Sequence, residues 1–294
     1  MGTRHLSLST VLMSAALLFG AQAASGQPAS APPLGVSLPQ FGVLGGAAVT
    51  GSTGAGTVVN GDVGSSPTPA ISNFLGSTPP GPSRTDPTHS VHYTNDAVVQ
   101  QAILDARAAW VDMGNQGALA SAQALGPELS GQVLTSGIFN FASAANLASP
   151  GGVVTGTLTL NGPGIFIFNV GSSLTANVGS IVTGTANPCN VYWRMGGDGS
   201  ATLNGVNFWG TVIADQSVTV SSATTLTGRA VGIIGAVTMP GAGGNTIGGC
   251  SSLPGGPPGP GGSAGGSTLD SVGMAILLGL LALAGVFAVN RFTL

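Results

Sequence analysis

Four short runs place a threonine at the same point. "SSLTAN" (172–177), "GSATLN" (199–204), "QSVTVS" (216–221) and "GAVTMP" (235–240) each set a Thr between two small or apolar residues. Side chains of an extended strand alternate between its two faces. If Leu174, Leu203, Val220 and Met239 point inward, then Thr175, Thr202, Thr219 and Thr238 point outward. Thr50 joins them, because "FGVLGGAAVTGS" (41–52) aligns with "RAVGIIGAVTMP" (229–240). Two residues further on come Asn177, Asn204, Ser221 and, in the N-terminal copy, Ser52. Strands stacked about 4.7–4.9 Å apart, with same-face residues roughly 6.4–6.8 Å apart along each strand, would turn these into a grid of hydroxyls and methyls. The grid would be stiff, since β-branched Thr has few rotamers to lose.

The rest of the chain offers little competing chemistry. Charged residues are 5% of the sequence, Lys is absent, and the formal net charge is −3. Nucleic-acid binding needs clustered Lys and Arg to neutralise phosphates, so it is excluded. The acids Asp62, Asp86, Asp96, Asp105, Asp112, Glu128, Asp198 and Asp215 are scattered, whereas glycosidase chemistry wants neighbouring carboxylates. His89 and His92 share a loop with Asp86, which fits surface loop histidines better than a metal site or a triad. No G-x-S-x-G elbow precedes a helix. The expectation is no enzyme, no metal and no cofactor. Uncharged rows of Thr could instead order water, with spacings close to repeats of the ice lattice. Thr rows also arise simply because cross-strand Thr pairs are mildly favourable, so spacing alone leaves both readings open.

The Thr runs need a scaffold that repeats. Ahead of each lies an apolar run ("GIFIFNV", "NVYWRMG", "FWGTVIA", "AVGII"), and behind several comes a third, Thr-rich run ("IVTGT", "TTLTG", "NTIGG"). Three short strands per unit of 17 to 27 residues predict a mainly β fold, a three-faced β-solenoid. A β-sandwich would show longer strands and hairpin signals, which are missing. The opposite Thr-rich runs (Thr155, Thr157, Thr159; Thr183, Thr185; Thr225, Thr227) are an alternative working face. One helix interrupts the strands. "TNDAVVQQAILDARAAWVDMGNQ" (94–116) begins with the cap residues Thr94 and Asn95 and carries an apolar stripe of Val99, Ala102, Ile103, Ala106, Trp110 and Met113. That stripe predicts a helix, about 95–115, lying along one solenoid face. The N-terminal strands are expected to complete the stack at its C-terminal end.

Both termini are apolar. Residues 1–24 read as a signal peptide with an A-x-A-type cleavage site near Ala23 or Ala24. Residues 251–268 are a Pro/Gly-rich linker. Residues 270–290 are uncharged after Asp270 and long enough to span a bilayer, with Arg291 placing the C-terminus in the cytoplasm. The expectation is an exported solenoid domain (36–250) at the cell surface, anchored in the membrane by a single C-terminal helix. Cys189 and Cys250 suit one disulfide in an oxidising compartment.

Several motifs in order resemble the microbial ice-binding β-solenoid family. They are the G-D-x-G-x-S-P stretch at 61–67, the helix around "AILDARAAW", "GIFIFNVGSSLT", "CNVYWRMG", "FWGTVIADQSVTV", "GRAVGIIGAVTM" and the closing Cys250. The resemblance covers roughly 36 to 250. It implies a right-handed, irregular three-faced β-solenoid with one long α-helix packed on a face. It also implies adsorption to an ice crystal surface by a monomer, through a flat face rich in Thr, Ser and Ala. Some members carry a T-A/G-x-T/N pattern there, which "TGST" (Thr50 to Thr53) fits. The expected ice-contacting residues are therefore Thr50, Ser52, Thr53, Thr175, Asn177, Thr202, Asn204, Thr219, Ser221 and Thr238. A structural or adhesin-like solenoid binding a glycan or protein is the alternative.

Overall fold

A computed structural model describes residues 28–148, 156–221 and 223–250. The expected signal peptide (1–24), linker (251–268) and C-terminal apolar helix (270–290) lie outside the described residues. Among the described residues no helix is long and apolar enough to cross a membrane.

Every strand pairing is parallel, as a coiled chain requires. Each full coil has three sides. On one, the short strands Ala145–Leu147, Leu174–Ala176, Ala201–Asn204, Val218–Ser221, Val237–Thr238, Val49–Thr50 and Ile71–Ser72 form a seven-stranded sheet. The other two sides share the longer strands of a second sheet, such as Asn207–Ala214 and Thr225–Gly232, which bend from one side to the next. The interior is filled by alternate residues, including Leu174, Leu203, Val220 and Met239, all fully buried. Aromatic rings run along the same axis. Phe139 and Phe168 stack at 5.1 Å and Phe168 and Trp193 at 3.9 Å between ring centroids, one ring per coil. Such contacts add stability beyond the area they bury, about 0.5–1.5 kcal/mol each.

The N-terminal strands continue the stack beyond the last C-terminal coil, as the sequence alignment implies. Val49 and Thr50 pair with Val237 and Thr238, and the strand Thr57–Asn60 pairs with Asn245–Gly248. One detail differs. Val43 lies beside Ala230 and Leu44 beside Val231, one residue out of step with the alignment that places Thr50 on Thr238. The corner accounts for it: Gly46 N–H donates to the carbonyls of both Gly232 and Gly235, so the N-terminal copy turns in one residue fewer.

This topology explains the helix. The chain reaches one end of the stack at Val91–His92 and must resume at the other, at Gln123–Leu125. Eight steps between neighbouring strands are about 38 Å. A helix of 21 residues, Ala97–Gly117, spans roughly 31 Å of that. Its buried residues Val99, Ala102, Ile103, Ala106 and Met113 cover Leu44, Val231, Ile213, Ile167 and Ile138 on the outside of the sheet. Trp110 is half-buried, and its Nε1–H donates to the Met195 carbonyl at 2.8 Å. The cap is Asp96 rather than Thr94 or Asn95: its carboxylate accepts from Val98 N and Val99 N, both at 3.0 Å. A carboxylate is the better cap because it also meets the positive end of the helix dipole. The segment from residue 28 runs back along the helix. Gln116 and the Ser30 backbone exchange two hydrogen bonds, and Asp105 accepts from Ser37 N and Leu38 N.

The loop histidines are structural. His89 meets Asp86 at 2.6 Å, and His92 bridges Asp96 (2.7 Å) and Asp62 (3.3 Å), tying the helix cap to the sheet. Asp62 also accepts from Ser90 N at 2.8 Å, a bond between segments 28 residues apart that joins the strand Asp62–Ser65 to the start of Val91–His92. The hydrogen bond to Asp62, helped by the one to Asp96, raises the His92 pKa above its ordinary value against the opposing effect of burial. A raised pKa means the folded state holds the proton more tightly. The resulting stability is fully present below about pH 6.5 and is lost as pH rises through the higher folded value. Melting temperature should therefore fall by a few degrees from pH 6 to pH 8.5, since about 1 kcal/mol corresponds to 2–4 °C in a domain of this size. His92→Gln should flatten that slope in thermal melts. An unchanged slope would remove His92 from the account.

Candidate functional site

The Thr positions of the seven-stranded sheet align across every coil. Asn146 pairs with Thr175, Thr175 with Thr202, Thr202 with Thr219, Thr219 with Thr238, Thr238 with Thr50 and Thr50 with Ser72. All seven are half-exposed, and the residues on either side of each Thr in the strands are buried. The row is straight because the strands are parallel and in register, with no shift recorded between these coils.

Side-chain hydrogen bonding sets the row's chemistry. No hydrogen bond within the described residues engages the hydroxyl of Thr175, Thr202, Thr219 or Thr238; Ser72 donates to Thr50 at a long 3.4 Å. A β-branched residue on a strand has few ways to turn, so hydroxyl and methyl are presented in a repeated orientation. Two residues downstream, Asn177, Asn204 and Ser221 are half-exposed, with Asn204 beside Ser221. Two residues upstream, inter-coil bonds from Ala145 N to Ser173 O, Leu174 N to Ser200 O, Ala201 N to Ser217 O, Val218 N to Ala236 O, Val237 N to Ala48 O and Val49 N to Ala70 O define a third row. It consists of Ser and Ala only. The hydroxyls of Ser200 and Ser217 face inward to the turns, accepting from Ser217 N (3.3 Å) and Ala236 N (3.2 Å). The Thr row thus stands between a row of small residues and a row of small polar ones, with no ionisable group in any of the three.

Two expected members do not fit. Ser52 is fully buried; its Oγ donates to the Gly241 carbonyl at 2.5 Å and accepts from Gly54 N at 3.2 Å. It fastens a turn at the end of the stack and cannot touch a surface. Thr53 is exposed but sits in that turn, past the two-residue strand Val49–Thr50, and is outside the row. The downstream row is interrupted here because Pro240 and the buried Ser52 occupy the equivalent places in the last coils. Asn146, Ser72 and the serines 173, 200 and 217 were not singled out from the sequence. The serines were legible, since each stands two residues before the Thr of its run, at Thr175, Thr202 and Thr219. Asn146 and Ser72 carried no such signal, lacking a Thr to align.

The opposite Thr-rich side is less uniform. Its register sets Thr157, Ile181, Asn207, Thr225, Thr246, Val58 and Arg84 side by side. The half-exposed Trp209 stands in its next row. Branched aliphatics, an indole and a guanidinium of unequal height break any plane. Among the described residues there is no group of three His, Cys, Asp or Glu able to hold a metal ion. Cys189 and Cys250 form a disulfide.

Comparison with known proteins adds a second line of evidence. The family model described as "Ice-binding-like" matches residues 43–245. An "Ice-binding protein" of Nostoc sp. (strain HG1) is 34% identical over 206 residues, 68% of each chain. A crystal structure of an ice binding protein from an Antarctic biological consortium superposes with a TM-score of 0.64 at 33% identity, covering 76% of this chain and 93% of that one. The ice-binding protein of the Antarctic ascomycete Antarctomyces psychrotrophicus gives a TM-score of 0.60 at 29% identity, covering 74% and 98%.

Proposed function

The chain belongs to the ice-binding-like family, and from that premise we propose that it adsorbs to ice through the Thr row of the seven-stranded sheet. The observation that carries this reading is the unbroken register Asn146–Thr175–Thr202–Thr219–Thr238–Thr50–Ser72. Neighbouring hydroxyls about 4.7–4.9 Å apart can hold a layer of water in a lattice-like array. Water held in advance loses little further entropy when a crystal face arrives. Charges would hold their own shells of differently oriented water, and the three rows have none. Asn177, Asn204 and Ser221 widen the contact, and the Ser/Ala row lets ice approach closely.

The function needs no catalysis and no cofactor. The leader-like start and the apolar segment 270–290 support an exported protein held at the cell surface, acting as a monomer on ice in its surroundings. The reading is tested by freezing the purified protein in sucrose and following crystal size. Crystals should stay small, and Thr183→Tyr and Thr225→Tyr, on the opposite side, should leave that unchanged. Coarsening as fast as with an inert protein would defeat the proposal and favour an adhesin-like solenoid. Loss of activity in the Thr183 and Thr225 variants alone would move the site to the other face.

A further inference from the structure

The corner where the Thr sheet hands the chain to the next side carries a buried row of its own. Ser180, Val206, Thr224, Asn245, Thr57 and Ser83 each immediately precede residues that pair from coil to coil, so they share one register position. All six are at most 2% exposed, and five of them are polar. Burying polar groups is costly unless each finds a partner. Val206 shows that the same corner also closes around an apolar side chain. Packing alone therefore does not require the hydroxyls and the amide. What sets them apart is what they bond.

They bond the ends of the Thr-row strands. Thr224 Oγ1 is within donating reach of the carbonyls of Leu203 (3.2 Å) and Ser221 (2.6 Å), and accepts from Gly205 N at 2.9 Å. It thus ties the coil of Thr202 to the coil of Thr219 just past both threonines. Asn245 Nδ2 donates to the Val220 carbonyl at 3.2 Å and to Thr57 Oγ1 at 3.3 Å, while its Oδ1 accepts from Thr224 N at 3.1 Å. Ser180 Oγ donates to the Leu147 carbonyl, next after Asn146, at 3.0 Å and accepts from Gly156 N at 2.9 Å. Ser83 Oγ donates to the Ser52 carbonyl at 3.3 Å and accepts from Thr57 N at 3.0 Å. Where Val206 stands, backbone makes the tie instead, Gly179 N to Gly205 O at 2.8 Å.

The strands held in this way are only two to four residues long, so each has few backbone bonds with which to set its tilt. A binding surface must hold its groups within about 0.5 Å, and here the match has to persist over several coils. A buried polar network with every member satisfied is stiff enough to do so. We propose that Thr224 and Asn245 are positioning residues of the ice face. By fastening the carbonyl after one Thr to the corner of the following coil, they fix the spacing and tilt of Thr202, Thr219 and their neighbours. The inference rests on ice adsorption through the Thr row and adds residues to it that no crystal can touch.

The test compares three variants of the full chain. Thr224→Val keeps the shape and removes the hydroxyl, and Thr224→Ser keeps the hydroxyl. Ile213→Ala, a core change beneath the helix, costs the fold at least as much as either. Recrystallisation inhibition is measured in the cold, with circular dichroism confirming that each variant is folded. Thr224→Val should need about tenfold more protein than the parent, because a slight misplacement of binding groups carries a penalty of that order. Thr224→Ser and Ile213→Ala should stay close to the parent. Methyl NMR supplies a readout that destabilisation alone does not move. The Thr202 and Thr219 methyl resonances should shift in Thr224→Val, return in Thr224→Ser and keep their places in Ile213→Ala. Should Thr224→Val misfold, Ser180→Ala carries the same test, with Thr175 as the reporting methyl and Ser180→Thr as the rescue. A parent that lets crystals coarsen defeats ice adsorption and this proposal together. An active parent beside a folded and fully active Thr224→Val, an equal loss in Ile213→Ala, or no recovery in Thr224→Ser would overturn this proposal alone.

Discussion

Recrystallisation inhibition by the Thr202→Tyr/Thr219→Tyr double variant is expected to drop to that of an inert protein, with melting temperature within a few degrees of the parent. Thr202 and Thr219 are the third and fourth members of the seven-residue row, so they occupy its middle. Each projects outward between buried neighbours, Ala201 and Leu203 in one strand and Val218 and Val220 in the other. A phenol ring attached there disturbs no core packing. It stands above the plane of methyls and hydroxyls and holds a crystal face away from the remaining Thr side chains. Strands accept Tyr well, which keeps the fold cost small. Thr202→Ser, which keeps the hydroxyl and removes the methyl, should give a partial loss and separate the two contributions. A double variant that folds and still keeps crystals small would mean that ice is met elsewhere.

Cys250→Ser should be the most destabilising single change at the end of the domain. The Cys189–Cys250 bond closes a sequence separation of 61 residues. Loop-closure entropy for such a length is worth about 4 kcal/mol, or on the order of 10 °C in melting temperature for a domain of this size. The bond also holds a polar cluster together. Arg229, wholly enclosed, donates Nη2–H to the Cys250 carbonyl and to the Pro39 carbonyl, and Nη1–H to Thr211 Oγ1 at 3.2 Å. Arg229 is 3% exposed, and that burial pushes its pKa down to about 10. If the chain end swings free, that guanidinium loses an acceptor and water enters the coil at Pro39. Reduction of the parent should reproduce the melt of the variant, while ice activity measured in the cold persists as long as the domain stays folded. A variant melting within one or two degrees of the parent would show that coil packing alone closes this end.

Much of the fold was legible because its rules are local. Alternation with period two identifies inward and outward residues from any six-residue run, so Leu203 and Thr202 could be assigned to opposite faces without coordinates. The helix stripe is local in the same way, and all its named members except the half-buried Trp110 are buried. The cap falls one residue beyond Asn95 and two beyond Thr94, because Thr94, Asn95 and Asp96 are all competent caps. Only the position of the sheet beneath decides which residue is the last outside the helix.

The amino-acid sequence by itself determined a charge-poor stack of short strands, one amphipathic helix, and threonines projecting from alternate positions. Backbone stereochemistry and hydrophobic burial act over a few residues at a time. The tertiary structure decided what depends on distant segments meeting. It carried the row on to Asn146 and Ser72, since register between coils is set by backbone hydrogen bonds and corner lengths. It withdrew Ser52, because the coil carrying Gly241 comes to lie against it. It also brought Ser180, Thr224 and Asn245 into one buried row behind the edge of the Thr face. These residues are far apart along the chain, and only the parallel stacking of coils sets them side by side.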